Sequence, residues 1–325
     1  MARLEPNLDS FGAALWRRPP RRVVLNADDF GLSAQVNAGV SRAHREGVLT
    51  SASLMVGAPA ACEAARAAKE MPALDVGLHL VVCRGRSVLS PARLGRIVDA
   101  ERRFADNPVA AGLRYFFDRR LRAGLASECR AQVERHLELV GHLHHIDGHL
   151  NFHLHPVLFE IVTALAVEYG VPYVRLSAEP LGTTLSLTRD RLAGTLVEAA
   201  VLKALCRRAR RALIRRGLGF ADRLFGLHQT GRLSEDYLVG LLGRLAAGVT
   251  EIYFHPALAT GGVGVPAEAA REVAILTSPR VRTALAQGGI ELVTFRDLAR
   301  ERAAQAAADG VTGREASSPG ERAPH

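Results

Sequence analysis

The chain has 325 residues, 48% of them hydrophobic and 23% charged, which excludes a wholly disordered protein and allows one large domain or two smaller ones. With 42 Lys+Arg against 33 Asp+Glu the formal net charge is +9, so anionic partners are permitted. No apolar run reaches the roughly 18 residues of a membrane-spanning helix, and the first 20 residues, with acids and one short apolar stretch from Phe11 to Trp16, make a poor secretory signal.

Short β-branched or apolar runs alternate with longer helical patterns. Eight strands are predicted: Arg22–Ala27, Thr50–Val56, Asp75–Leu80, Leu143–Asp147, Pro172–Leu176, Asp222–Leu227, Thr250–His255 and Ile290–Phe295. Helices are predicted at Gln35–Glu46, capped by Gly47, and at Ala60–Met71, which stops before Pro72. Others follow at Leu125–Val140, His155–Tyr169, Leu187–Arg216, Ser234–Ala247 and Ala267–Ala286. Strand then helix, repeated, predicts an α/β fold with a parallel sheet. A closed barrel is favoured at this size and a doubly wound open sheet comes second. No GxGxxG follows the first strand, which argues against dinucleotide binding. Residues 1–20 are expected to be flexible, residues 21–300 to form the barrel domain, and the Ala-, Gly-, Ser- and Pro-rich tail 301–325 to be disordered. Gly85–Pro108 reads as a long connection lying over a site rather than in the core.

The cysteines, Cys62, Cys83, Cys129 and Cys206, form no CxxC pair and no disulfide framework, which fits a reducing cytoplasm. Histidine is more informative. Seven of the 12 histidines fall between His136 and His155, around the stretch HLHHIDGHLNFHLHP. Such density at a strand end points to a metal or acid–base site, with a polar loop or structural histidines as the bland reading. The first strand ends in Asn26-Ala27-Asp28-Asp29-Phe30-Gly31. Adjacent carboxylates there repel unless a cation offsets them, so one is expected to bind an ion and the other to stay free as a base. The competing reading is a helix N-cap. His79 sits inside the apolar strand GLHL, and His255 ends the strand that reads YFH. Alone, each imidazole suits a packed core. Together Asp28, Asp29, His79, Asp147, His149, His228 and His255 stand at the C-terminal ends of predicted parallel strands, the face that carries barrel active sites.

The ordered set NADDFGLS, VLTSASLMV, GLHL, HIDGH and FHPA resembles the YdjC-like carbohydrate deacetylases, from about Arg22 to Phe295. NFHLHP, LFGLHQTGRLSED and GVTEIYFHPA are similar to the branch associated with hopanoid biosynthesis. The resemblance implies a barrel-like fold related to polysaccharide deacetylases and metal-dependent removal of an N-acetyl group from an amino sugar. It implies Asp29, His79 and His149 as metal ligands, Asp28 as catalytic base and His255 as acid. Asp147, His153 and His228 become candidates for substrate contact or for supporting the ligands. Many relatives read HIDSHHHVH; here the two positions after His149 are Leu150 and Asn151, which offer no equivalent ligands. The implied substrate is an N-acetylglucosaminyl hopanoid, with a soluble N-acetylated chito-oligosaccharide as the alternative.

Two imidazoles and a carboxylate suit zinc, nickel, cobalt or iron by ligand chemistry. The family resemblance implies magnesium, which prefers oxygen ligands. Leu202–Arg216 reads LKALCRRARRALIRR, a basic amphipathic pattern that suits an anionic bilayer surface or, equally, the charged outer face of a barrel helix. The basic residues lack interleaved aromatics, so nucleic acid is not an expected partner.

Overall fold

A computed structural model of the chain describes residues 19–188, 195–258 and 267–315. All eight predicted strands form: β1 (Arg21–Phe30), β2 (Ser51–Leu54), β3 (Asp75–Leu80), β4 (His145–Gly148), β5 (Tyr173–Val174), β6 (Arg223–Phe225), β7 (Gly248–Phe254) and β8 (Ile290–Leu292). Every pairing between them is parallel, and the sheet runs β5-β4-β3-β2-β1-β7-β6. β8 pairs with β1 over Arg21–Val23, while β2 pairs with it over Asn26–Phe30. β7 takes β1 from Arg21 to Ala27, so β8 and β2 share its other edge.

The sheet curls into a barrel without a continuous ladder at its seam. β5 has two residues and β6 three, too short to pair with each other. The gap is spanned by Gly219, whose N–H donates to Pro172 (2.8 Å) and whose carbonyl accepts from Val174 (3.0 Å). A Cβ at Gly219 would lie 2.5 Å from the Tyr173 ring, so only glycine allows this approach.

The helices between the strands are α1 (Ala34–Arg45), α2 (Ala61–Lys69), α3 (Pro91–Leu94), α4 (Pro108–Phe117), α5 (Arg122–Val140) and α6 (Pro156–Glu168). They continue with α7 (Leu181–Leu187), α8 (Thr195–Arg215), α9 (Glu235–Leu242), α10 (Ala267–Leu276), α11 (Pro279–Gln287) and α12 (Phe295–Glu315). Local chemistry sets several ends. The Ser33 hydroxyl caps α1 by accepting the Val36 N–H, and Pro156 opens α6, where a missing N–H costs nothing.

Several expectations need correction. Ala267–Ala286 is two helices, because Ser278 caps and Pro279 opens a new one. The helix expected over Leu187–Arg216 is interrupted: α7 ends at Leu187, Thr188 is extended, and residues 189–194 lie outside the described set. The tail is helical to Glu315 rather than irregular from residue 301, because alanine and arginine are strong helix formers; residues 1–18 and 316–325 lie outside the described set. Gly85–Pro108 is not a simple covering loop. It buries Leu94, Ile97, Val98 and Phe104 in the main core, and Glu128 of α5 accepts the N–H groups of Val88 and Leu89. The apolar stripe of Leu202–Arg216 faces inward: Cys206, Ala209, Ala212 and Leu213 are buried, which leaves the arginines as the outer face of a barrel helix.

Strand alternation divides the interior. Val23, Leu25 and Ala27 point to the helix-side core, while Val24 points inside the curl. There Val24, Tyr173, Val293, Phe295 and Leu298 form an apolar plug at the strand starts. Above it the same inward alternation continues as Asn26 and Asp28 on β1, Ser53 on β2, His79 on β3, His145 and Asp147 on β4, Arg175 just past β5, and Glu251 on β7. The barrel therefore has an apolar floor and a polar upper layer.

Candidate active site

Two adjacent residues on a regular strand point to opposite faces, so Asp28 and Asp29 cannot both reach the interior unless the strand is distorted. It is. The register of β1 against β2 shifts between Ala27 and Phe30, and Asp29 adopts φ = 61°. This bulge resets the alternation: Phe30 joins the helix-side core, and Asp29 turns to the same mouth as Asp28. A left-handed non-glycine residue costs roughly 1–3 kcal/mol, which the surrounding structure must offset.

Asp29 Oδ1 lies 2.9 Å from His149 Nδ1 and 3.2 Å from His79 Nε2. One donor atom from each of the three residues lies within 4.8 Å of the others. The other face of His79 is fixed, since Nδ1 contacts Asp147 Oδ1 at 2.7 Å. A carboxylate behind an imidazole that leaves Nε2 free is the usual support for a metal-binding histidine. Burial alone would raise Asp29, but hydrogen bonds from His149 and His79 hold it well below the ordinary carboxylate range. Burial opposes charge on His79, yet Asp147 and Asp28 push it up to about 10. A field that favours a proton this strongly also favours a divalent cation in its place. The donor set, two imidazoles and one carboxylate with open positions, fits such an ion. Asp29, His79 and His149 would hold it.

Asp28 is not free. Arg175 holds it with both terminal nitrogens, Nη1 to Oδ2 and Nη2 to Oδ1, each at 2.7 Å. Asn26 Nδ2 donates to Oδ1 at 2.8 Å and also to Ser53 Oγ at 2.8 Å. The cation that offsets Asp28 is thus a side chain of the protein. Arg175 also meets Asp147 Oδ2 at 2.7 Å and Glu251 Oε1 at 2.8 Å from Nε, and it lies over the Tyr253 ring at 5.0 Å. One guanidinium serves three buried carboxyl groups. Burial, opposed by Arg175, pushes Glu251 up to about 7, and its Oε2 has no hydrogen-bond partner among the described residues.

The remaining candidates separate. Asp147 is fully buried and bonds His79, Arg175 and Ser53 Oγ (2.7 Å), so it positions other groups. His153 is buried with Nε2 on the Arg175 carbonyl (3.1 Å), which supports the arginine from behind. His255 packs edge-on to Tyr253 with ring centroids 5.6 Å apart, and its backbone N–H donates to Glu272. His228 stands apart from the Asp–His–His group. Its N–H donates to Glu179 Oε2 (3.1 Å), and it lines a cavity with Ser177 and Leu227. A second group, Asp75, His142 and His144, lies at the opposite ends of the strands. There Asp75 already accepts from His144 Nδ1 (2.7 Å) and the Arg296 N–H (2.9 Å), which accounts for it as an internal clasp.

Arg175, Glu251, Asn26 and Ser53 escape sequence reading. The signal for two of them was present: a charge interrupts each of the apolar runs PYVRL and TEIYFH.

A curled parallel α/β barrel with an Asp–His–His donor set and a separately held carboxylate at the strand ends defines the class. The sequence matches the family described as YdjC-like protein over residues 22–287, and the chain belongs to that family. It is 32% identical to a carbohydrate deacetylase of Geobacillus stearothermophilus over 86% of this chain and 98% of that one. It is 33% identical to a carbohydrate deacetylase of Brevibacillus brevis over 85% and 99% of the two chains. The fold is similar to that of a solved Enterococcus faecalis V583 protein described as a candidate for cellobiose-phosphate cleavage. The TM-score is 0.67 at 24% identity, covering 86% of this chain and 99% of that one. Among the described residues no helix is long and apolar enough to cross a membrane.

Proposed function

We propose that this protein is a carbohydrate deacetylase that removes the N-acetyl group of an N-acetylglucosaminyl hopanoid, using one divalent cation. The carrying observation is the placement of Asp29 Oδ1 between His79 Nε2 and His149 Nδ1, with Asp28 beside it on a separate support. When bound, the cation supplies Lewis acidity toward the acetyl carbonyl and toward water. Asp28, oriented by Arg175, takes a proton from the attacking water. The amide C–N bond breaks as His255 gives a proton to the sugar nitrogen, and acetate and the free amine leave. Each proton transfer is typically worth about 10²–10⁴ in rate. The donor set favours zinc or a similar transition metal over magnesium, which prefers oxygen.

Support for a lipid-linked sugar comes from a cavity of about 490 Å³ that begins at Leu176, one residue past Arg175. Ala178, Leu181, Leu202, Cys206 and Leu227 add apolar wall. Its polar and charged members, Ser177, Glu179, Lys203, Arg207, Arg210 and His228, favour the second reading, a soluble N-acetylated chito-oligosaccharide. All four cysteines are unpaired, which supports a reducing, cytoplasmic setting. The test is product mass and metal analysis with both substrates. Loss of one acetyl unit from the glycolipid, abolished in His149→Ala, is expected. Turnover of the soluble sugar alone would retain the chemistry and remove the lipid assignment.

A further inference from the structure

The outer face of α4 is unusual for a soluble barrel. Val109 is 69% exposed, Leu113 56%, Phe116 47% and Phe117 73%. Their spacing, i, i+4, i+7 and i+8, puts all four on one side of a ten-residue helix. The opposite side is anchored, because Ala111 and Tyr115 are buried and the Tyr115 hydroxyl donates to the Val82 carbonyl at 2.8 Å. The helix therefore cannot roll to hide its apolar face. A contiguous exposed patch of this kind marks an interaction surface.

We propose that this face docks the protein on an anionic lipid bilayer. The rim argues for that partner. Arg119, Arg120 and Arg122 come just after the phenylalanine pair, past Asp118, and are exposed. Arg208 of α8 shares a surface groove with Phe116 and Arg122, which joins the arginine-rich outer face of α8 to the patch. Of the nearby acids, Asp118 pairs with Arg96 (3.1 Å) and Glu160 with Arg216 (2.7 Å), and exposed Asp106 ahead of α4 still leaves Arg119, Arg120, Arg122 and Arg208 in excess. Apolar and aromatic side chains ringed by arginine are the composition of an interfacial helix. The patch also adjoins the active site. The Tyr115 ring packs on Phe152 (6.3 Å), and His155 Nε2 contacts the Gly112 carbonyl (3.0 Å). Both partners belong to the loop that begins at His149, where Leu150 is itself exposed. Docking through α4 presents the catalytic mouth to the interface.

The inference deepens the lipid-linked reading of the active site and rests on it only for its purpose, since vesicle binding is measured without substrate. The full chain is sedimented with vesicles of phosphatidylcholine alone and of phosphatidylcholine mixed with phosphatidylglycerol. Binding is expected to the mixed vesicles and to weaken with salt. Phe116→Ser/Phe117→Ser is expected to lower the partition coefficient by roughly tenfold or more per phenylalanine, with the melting temperature unchanged. Arg119→Glu/Arg120→Glu is expected to abolish the preference for anionic lipid. No binding by the full chain, binding unaffected by the phenylalanine substitutions, or a dimer that those substitutions convert to monomer would each overturn the proposal. Vesicle binding without deacetylation would instead retain the surface and remove the catalytic reading.

Discussion

Arg175 and Asp28, 147 residues apart in sequence, meet through two parallel hydrogen bonds of 2.7 Å in a buried layer with Asp147 and Glu251. Removing the guanidinium leaves these carboxyl groups without their cation. Arg175→Met is expected to destabilise the fold by about 3–5 kcal/mol, read as a large fall in melting temperature. Arg175→Lys restores charge but not the two-pronged geometry, so stability is expected to recover more than kcat.

The proposed roles of the two aspartates of β1 differ, and substitution separates them. Asp28→Asn is expected to keep full metal content while kcat falls by roughly 10²–10⁴. Asp29→Asn tolerates the left-handed backbone but loses the anionic donor, so the protein is expected to purify with little metal. Metal analysis beside steady-state kinetics checks both; equal metal loss in the two variants would contradict the assignment.

Gly39 on α1 gives close access to the segment after β7. A Cβ there would lie 2.6 Å from Ala257 Cα and 2.7 Å from the Pro256 carbonyl oxygen. Gly39→Ala is expected to push this segment, and His255 with it, away from Asp29. The cost in stability is roughly 1–3 kcal/mol. A fall in kcat with metal content intact is the expected signature, since none of the proposed ligands lies on that segment.

His136 on α5 is fully buried, and desolvation lowers it to about 3. The ordinary value in an unfolded chain is about 6.5, so on acidification the unfolded state takes the proton first. Stability from this group is complete above about pH 6.5 and falls toward pH 3 by up to roughly 1.4 kcal/mol per pH unit. His136→Gln is expected to flatten the stability–pH curve in that window, as measured by denaturant unfolding. An unchanged slope would mean that the site admits the proton in the folded state.

Much of the candidate site was legible because each proposed ligand lies at the end of a strand whose apolar run is readable locally. Asp29, His79 and His149 fall at three such ends, and parallel α/β topology brings those ends to one face. The helical tail and the inward stripe of α8 were less legible. Composition reports polarity and charge but not which side of a helix finds a partner.

The order of strands and helices and the identities of the converging aspartates and histidines follow from the amino-acid sequence alone, because hydrophobic periodicity and turn residues act over a few neighbours. Only the tertiary structure decides that Asp28 is clasped by Arg175, that a bulge turns Asp29 to the same mouth, and that α4 displays its phenylalanines. Those facts depend on groups far apart in the chain competing for one buried volume, where an uncompensated charge is too costly to keep.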